Sequence, residues 1–558
     1  MIRSAVIFVV VGLLAAGLLY DQVDPPADGL VTAEEAHLVT PSVSDPARLD
    51  GAWFCPVGSS TEGGFADHQV RISNLSDESA VANVNILTGE GKGPTLRVEL
   101  NPLSTQQLAL SSIAQADVAG AVVEIIGGTG VVGHQVLTDL GPAEGPCATH
   151  VSSTWYFAAG RTQRDSLEYL ALMNPFPEDV VYNVELFRAA GRPRKPGPLQ
   201  GDVVPASSVK IIELGEHIPR EEVVAAAITT VRGRLVAERL QTFDGELGPS
   251  GAALQLGVTG PAESWMLPAG RIQSAGDDQV IVFNPAVDEV ANVEIELWPV
   301  NPTDRSLYGL GAIPRELLPG RFEIIDLRTE ADRFGLRLPY EIGVSVRSSN
   351  GVSVVAERWH FASQVDRSLI GAGGTEVAPS DEEQDPANLD DPANPDDPAN
   401  ADDPANADDP ANPDDPGAGE STAEEAGELD VPGILGGEAA DLAQPTANAG
   451  VATSRGTEIL SNRWIVPWVA TPTPESSVVI VTSPTEAAVE VFMLVNGEMN
   501  GPFRAAIPPG GRAIVPVPAV GAGGPVVVTS DSPVSVEAQI VTPDVSLAIV
   551  PGIPTVEQ

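Results

Sequence analysis

The sequence predicts an all-β protein: four tandem antiparallel, Ig-like β-sandwich repeats after an N-terminal transmembrane or signal helix, with a disordered acidic linker before the last. Three observations carry this reading. Four stretches open with tryptophan: "AWFCPVGSS" at 52–60, "TWYFAAGRT" at 154–162, "SWMLPAGRI" at 264–272 and "RWIVPWVAT" at 463–471. Each is followed by a strand and a turn at nearly constant distance, 21 residues from Trp53 to Asn74 and 19 from Trp155 to Asn174, Trp265 to Asn284 and Trp464 to Ser483. Glycine and proline, 55 and 50 of 558 residues, supply the many turns that short-strand domains need.

The boundaries follow from this repeat. Residues 1–22 are the helix, 50–150, 151–250 and 260–370 the first three sandwiches, 376–450 the linker and 455–550 the fourth sandwich. At the N-terminus, Met1-Ile2-Arg3 precedes the apolar run "SAVIFVVVGLLAAGLLY". That run is near the lower limit of about 17 residues for spanning a bilayer. No small-x-small cleavage site stands out after it, so two readings stand. An uncleaved signal anchor gives a single-pass cell-membrane protein with an extracellular C-terminal portion. A cleaved signal peptide gives a secreted one. Arg3 before the run, with Asp21, Asp24 and Asp28 after it, keeps the N-terminus inside.

Within each unit the turn reads Asn-Leu, Asn-Pro, Asn-Pro or Ser-Pro, and proline after asparagine forces extended backbone and starts a turn. Alternating strands follow: "VNIL" from Val84, "VELF" from Val184, "VEIELW" from Val293 and "VEVFML" from Val489. Period-two alternation marks a strand with one buried face. Each unit then closes with a hairpin-like pair such as "IGVSVRSSNGVSVVAERWHF". About 90–100 residues of such strands fit a sandwich of about seven strands. The repeated tryptophan is expected in the core.

This alignment also disposes of a nucleotide motif. Gly128, Gly130 and Gly133 have G-x-G-x-x-G spacing after a β-branched run, as at a dinucleotide-binding turn. They align with the turns "TVRG", "SSNG" and "SDSP" of the other units and are expected at a hairpin tip. "VVGHQVL" is no amphipathic helix to face a pyrophosphate.

The linker repeats Asp-Pro-Ala-Asn at 385, 391, 397, 403 and 409. Residues 376–441 hold 22 acidic residues, and no lysine or arginine lies between Arg367 and Arg455. With little apolar surface to offset ordering, this segment is expected to stay disordered and to carry the fourth unit on an extended tether. It lacks the glycine and the terminal glutamate of a calcium loop.

Charge and chemistry narrow the function. A net charge of −47 repels a phosphate backbone and excludes nucleic acid as a partner. The six histidines (His37, His68, His134, His150, His217 and His360) form no H-x-x-x-H or H-E-x-x-H pattern, and there is no G-x-S-x-G elbow or P-loop. No catalytic, cofactor or metal residue is assigned. By alignment His134 sits where the second and third units carry Glu238 and Glu357, a hairpin position. The constellation "AGRxQ" recurs as Arg161 with Gln163 and Arg271 with Gln273; arginine suits carboxylate or phosphate recognition, so these four are candidate ligand-binding residues. Cys55 and Cys147 are the only cysteines. In an exported chain a single pair implies a disulfide, here from the first strand of unit one to the chain leaving it.

"WFCP", the repeated "NP" turns, the "VVAER"-type closing strands and the N-terminal helix resemble an uncharacterised domain-of-unknown-function family of exported, membrane-anchored β proteins from high-GC Gram-positive bacteria. The resemblance covers most of 1–370 and the last unit. Its members tend to be encoded near cell-envelope glycosyltransferases, which implies an envelope role. The expected function is a non-enzymatic extracellular scaffold or binding protein for an envelope glycan or protein, reaching the membrane through its N-terminal helix. The alternative is a surface hydrolase of envelope polysaccharide, which a carboxylate pair in a cleft would favour.

Overall fold

The structure is a computed structural model. It describes residues 50–246, 249–272, 278–299, 311–335, 340–361, 451–469, 477–517, 523–541 and 547–555. The expected N-terminal helix at 1–22 and the acidic linker at 376–450 lie outside the described residues. Among the described residues no helix is long and apolar enough to cross a membrane, and Leu327–Arg333 is the one α-helix. Everything else regular is antiparallel strand or a short 3-10 turn.

The first module is built from two four-stranded sheets. One runs Asp50–Cys55, Ala119–Ile126, Ala80–Thr88, Gly91–Leu100. The other runs Ser104–Ala109, Asp67–Asn74, Gly130–Thr138, Gly141–Pro146. In chain order that is 1-6-3-4 over 5-2-7-8. The same order recurs in a second module, with Thr154–Phe157, Val224–Arg232, Val180–Arg188 and Gln200–Val204 in one sheet, and Ser208–Glu213, Ser166–Asn174, Val236–Asp244 and Ser250–Leu256 in the other. It recurs in a third, with Ser264–Leu267, Tyr340–Ser348, Ala291–Pro299 and Ile313–Leu317 beside Arg321–Asp326, Asp278–Asn284, Val355–Phe361 and Val451–Ser454. In the fourth, Gly524–Val541 runs through both sheets as strands six and seven. It joins Ser461–Val469, Ala487–Val495 and Glu498–Ile507 to Gly511–Pro516, Ser477–Ser483 and Leu547–Pro551.

The repeated residues explain the repeated order. Trp53, Trp155, Trp265 and Trp464 are buried. Three of their indole Nε1 atoms donate to the carbonyls of Leu235, Val354 and Val534, at 2.9, 2.7 and 2.8 Å, tying strand one to the start of strand seven. The turn asparagine works the same way. Asn174 Nδ2 donates to the carbonyls of Glu178, Val204 and Pro205, and its Oδ1 accepts from Phe176 N. One amide thus satisfies two turns, and Asn74 and Asn284 repeat the pattern. Ser483 is the weaker version, accepting only from Thr485 N.

The two sheets differ in burial. Strand three shows one covered face: Ala80–Thr88 and Val180–Arg188 alternate buried and half-buried positions. Strand seven of the second module, Val236–Asp244, is buried at every position but the last. Such a strand is covered on both faces. Its outer face meets another module.

The modules close on one another. The eighth strands lie side by side: Gly141–Pro146 against Ser250–Leu256, that against Val451–Ser454, that against Leu547–Pro551, and that against Gly141–Pro146.

Three expectations are corrected. Each module has eight strand positions, not about seven, because the eighth strand is short or turn-like in composition, as in "GPAEGP" and "VATS", and lacks alternation. The acidic stretch does not tether the fourth module. Val451–Ser454 pairs with Val355–Phe361, Phe361 facing Val451, so the chain leaves and re-enters one sheet of module three before module four begins. Of the three motif glycines only Gly128 is in the hairpin turn; Gly130 and Gly133 lie in strand Gly130–Thr138.

Candidate functional site

The polar residues buried between modules are the chemically richest part of the molecule. They come from the outer face of the second sheet. Three residues before the turn asparagine or serine, strand two faces Gly133 in module one, Glu238 in two, Glu357 in three and Glu537 in four. The next residue is His134, Arg239, Arg358 and Ala538. His134 therefore occupies the arginine position, and Gly133 the glutamate position. By sequence alone His134 falls on the glutamate position, one residue out, because the spacing from the turn to strand seven differs between modules.

Each glutamate reaches back into the module before it. Glu238 accepts from Val57 N at 3.2 Å and from His134 Nε2 at 2.8 Å. Glu357 accepts from Ala158 N at 2.8 Å, Ala159 N at 3.1 Å and Arg239 Nη2 at 3.1 Å. Glu537 accepts from Ala269 N at 2.7 Å and from Ser454 Oγ. Val57, Ala159 and Ala269 all follow the repeated tryptophan by four residues. A buried carboxylate is tolerable where donors surround it, and the loop after each tryptophan supplies them.

A third polar group lies six residues before the turn: His68, Glu168 and Asp278, with Ser477 in module four. His68 Nδ1 donates to Ala119 O at 2.8 Å, and its Nε2 meets His134 Nδ1 at 3.0 Å. Asp278 accepts from Arg358 Nε at 2.6 Å and Nη2 at 2.5 Å. The chain passes these groups so closely that only glycine fits. A Cβ on Gly58 would stand 2.5 Å from His68 Cβ, one on Gly160 2.1 Å from Glu168 Oε1, and one on Gly270 2.0 Å from Arg358 Cζ. In module four, where Ser477 and Ala538 are small, the same position is Val469.

Burial sets the electrostatics. It pushes His68 down to about 3, with His134 adding to the effect and the Ala119 bond opposing it. It pushes Glu168 up to about 8, against the pull of Arg239, and Glu537 up to about 7. Burial also works against the Asp278 carboxylate, but Arg358 and His360 outweigh it and hold Asp278 below its usual range. Arg455 is lowered to about 10 by burial, against the pull of Glu458, Glu537 and Glu357.

The fourth junction, between modules four and one, is made differently. Gly133 faces Pro467, whose Cβ would be 2.9 Å from an added Cβ. The Arg71 guanidinium lies 4.5 Å above the Trp468 ring, held by Glu144 at 3.1 Å and Gln135 at 3.0 Å. Ile465, Val527 and Ile553 of module four share the core of module one.

The candidate residues from the sequence fall elsewhere. Arg161 is half-buried in a loop of module two; its Nη2 pairs with Asp165 at 3.1 Å and its N–H donates to Gln241 Oε1 at 2.9 Å. Gln163 is half-buried nearby, its carbonyl accepting from Ser166. Arg271 contributes backbone to a short pairing with Glu341; its side chain and all of Gln273 lie outside the described residues. Cys55 and Cys147 are bonded, fully buried, with Cα atoms 4.7 Å apart. Among the described residues no three His, Cys, Asp or Glu side chains are grouped to hold a metal. Sequence reasoning missed the junction glutamates, although a charged pair inside an apolar strand, as in "VAER", was the available signal.

Comparison with known proteins adds little detail. No curated protein matches the chain. Among solved structures, a Streptomyces avermitilis α-L-rhamnosidase complexed with L-rhamnose aligns at 10% identity over 58% of this chain and 47% of that one, with a TM-score of 0.13. A likeness that slight bears on neither fold nor activity. Residues 139–301, from the end of module one through module two into module three, match a family of unknown function (DUF5719).

Proposed function

We propose that the protein is a non-enzymatic, exported scaffold or binding protein of the cell envelope. In this reading four Ig-like sandwiches are held together and attached to the membrane through the N-terminal segment, with a glycan or protein as ligand. The observation that carries it is the use made of the buried ionisable groups. His68, His134, Glu168, Glu238, Glu357 and Asp278 are each at most 1% exposed, and Glu238 and Glu357 bond the module before their own. Perturbed groups mark either reactive sites or structural networks; groups sealed between modules belong to the second kind. A ligand would meet the exposed outer faces instead, such as strand Gly91–Leu100 with its run of exposed residues, or the half-buried loop of Arg161 and Gln163.

The test is incubation of the full-length protein with purified envelope polysaccharide and with a membrane-protein fraction, reading co-sedimentation and release of reducing ends. Retention without new reducing ends supports the proposal. Release of reducing ends overturns it in favour of a surface hydrolase. Retention on neither fraction overturns the envelope reading.

A further inference from the structure

We propose that the junction between modules one and two is an acid-labile joint, closed by a hydrogen-bonded chain from Ala119 through His68 and His134 to Glu238 that accommodates no further proton. The geometry fixes the protons. The Ala119 carbonyl only accepts, so His68 Nδ1 carries hydrogen and donates to it. His68 Nε2 is then the acceptor, and His134 Nδ1 donates to it across 3.0 Å. His134 Nε2 faces the Glu238 carboxylate at 2.8 Å, with one proton between them. The second Glu238 oxygen takes the Val57 amide. Every ring nitrogen of the chain is committed.

Among the ring nitrogens an added proton has one place to go, His68 Nε2. There it would point an N–H at the N–H of His134, the ring centres 5.1 Å apart, and put a charged imidazolium in a fully buried site. The surroundings do not relieve that charge. On the packed strands Arg71 is occupied by Glu144 and Arg239 by Glu357. Glu168 lies beside Arg239, Asp67 is half-buried, and Glu62, Glu124 and Asp244 are exposed. Breaking the chain frees His68 to take its proton in water. A histidine whose folded value is depressed contributes stability above its ordinary 6.5, and that stability drains away as pH falls toward about 3. Among the described residues, the hydrogen bonds that close the next junction include no histidine. Arg239 and Arg358 stand where His134 does.

Hydrogen exchange of the full-length protein tests this directly, because the amides that report on the junctions are donors in them. These are Val57 for the first, Ala158 and Ala159 for the second and Ala269 for the third. After correction for intrinsic exchange, protection at Val57 is expected to fall about tenfold per pH unit below 6.5, while Ala158 and Ala159 hold. The double variant His68→Asp with His134→Arg imports the Asp278–Arg358 pair of module three and is expected to abolish the fall. Val57 protection that is flat from pH 7 to 5, or a parallel loss at all three junctions, overturns the proposal even if the variant does not fold. A folded variant that keeps the acid dependence overturns it as well.

Discussion

Three junctions of this molecule are ionic and one is not. Between modules one and two, two and three, and three and four, a glutamate of the later module accepts backbone amides of the earlier one. Between four and one, glycine meets proline and an arginine lies on a tryptophan. The difference has a physical use. Identical head-to-tail interfaces specify how modules follow one another but not where the series stops, and such contacts run on unless something closes them. Here the outer modules carry the stop on both sides. Module one lacks the glutamate and has Gly133; module four lacks the arginine and has Ala538, Ser477 and Val469. Only these two faces fit each other. The seam is also the one junction without a short covalent link, so its closure rests on packing alone.

The largest expected effect is on the module that borders the seam. Cys55→Ser opens a bridge with a sequence separation of 92, for which loop-closure entropy gives about 4–5 kcal/mol. Chemical denaturation should show module one destabilised while modules two to four keep their transition; a uniform shift of a single transition would mean that the modules do not unfold separately. Next, Glu357→Ala leaves Arg239 and two amides buried without their carboxylate and should cost about 3–5 kcal/mol. A loss below 1 kcal/mol would show water replacing the carboxylate and remove the contrast with the seam.

At the seam itself the stakes are lower. Gly133→Ala puts a methyl 2.9 Å from Pro467 Cβ, and overpacking of this kind costs about 1–3 kcal/mol. Exchange protection should fall along Ser461–Val469 and Gly130–Thr138 and not at Ala158 or Ala269.

A pH series distinguishes the ionic junctions further. Glu168 has a folded value raised to about 8 from 4.5, so its contribution is present below 4.5 and is lost as pH rises through about 8. Glu168→Gln should flatten the thermal stability profile between pH 5 and 9. An unchanged slope would assign that slope to Glu537 or Glu357, which burial also raises. The smallest effect concerns the acidic stretch. Because Phe361 and Val451 are paired, deleting 381–416 merely shortens a connection within one sheet. It should raise stability by no more than about 0.6 kcal/mol, with exchange at Ala269 unaltered.

Much of the fold was legible in short-range pattern. The tryptophans, the Asn turns and strands such as Val180–Arg188 announced themselves because each obeys a local rule: burial of a large apolar group, turn chemistry, or alternation on a half-covered sheet. The cysteine pair was legible by count. Strands such as Gly141–Pro146 and Val451–Ser454 were not, since short edge strands need neither alternation nor β-branched residues. The junctions were half legible. "VAER" was visible twice, but nothing local says that a glutamate serves a different module from the arginine beside it.

The sequence by itself determined that the chain is a series of β units, where each begins and turns, and that the first carries a bridge. Those properties depend on residues within a few positions of one another or on a pair with no competitor. Only the tertiary structure decided that the units close on one another, that the acidic stretch is a connection inside module three, and that Gly133, His134, Trp468 and Ala538 are the marks of the two ends. Those depend on which outer face meets which. Such meetings join residues 100 to 400 positions apart, where spacing along the chain carries no information about distance.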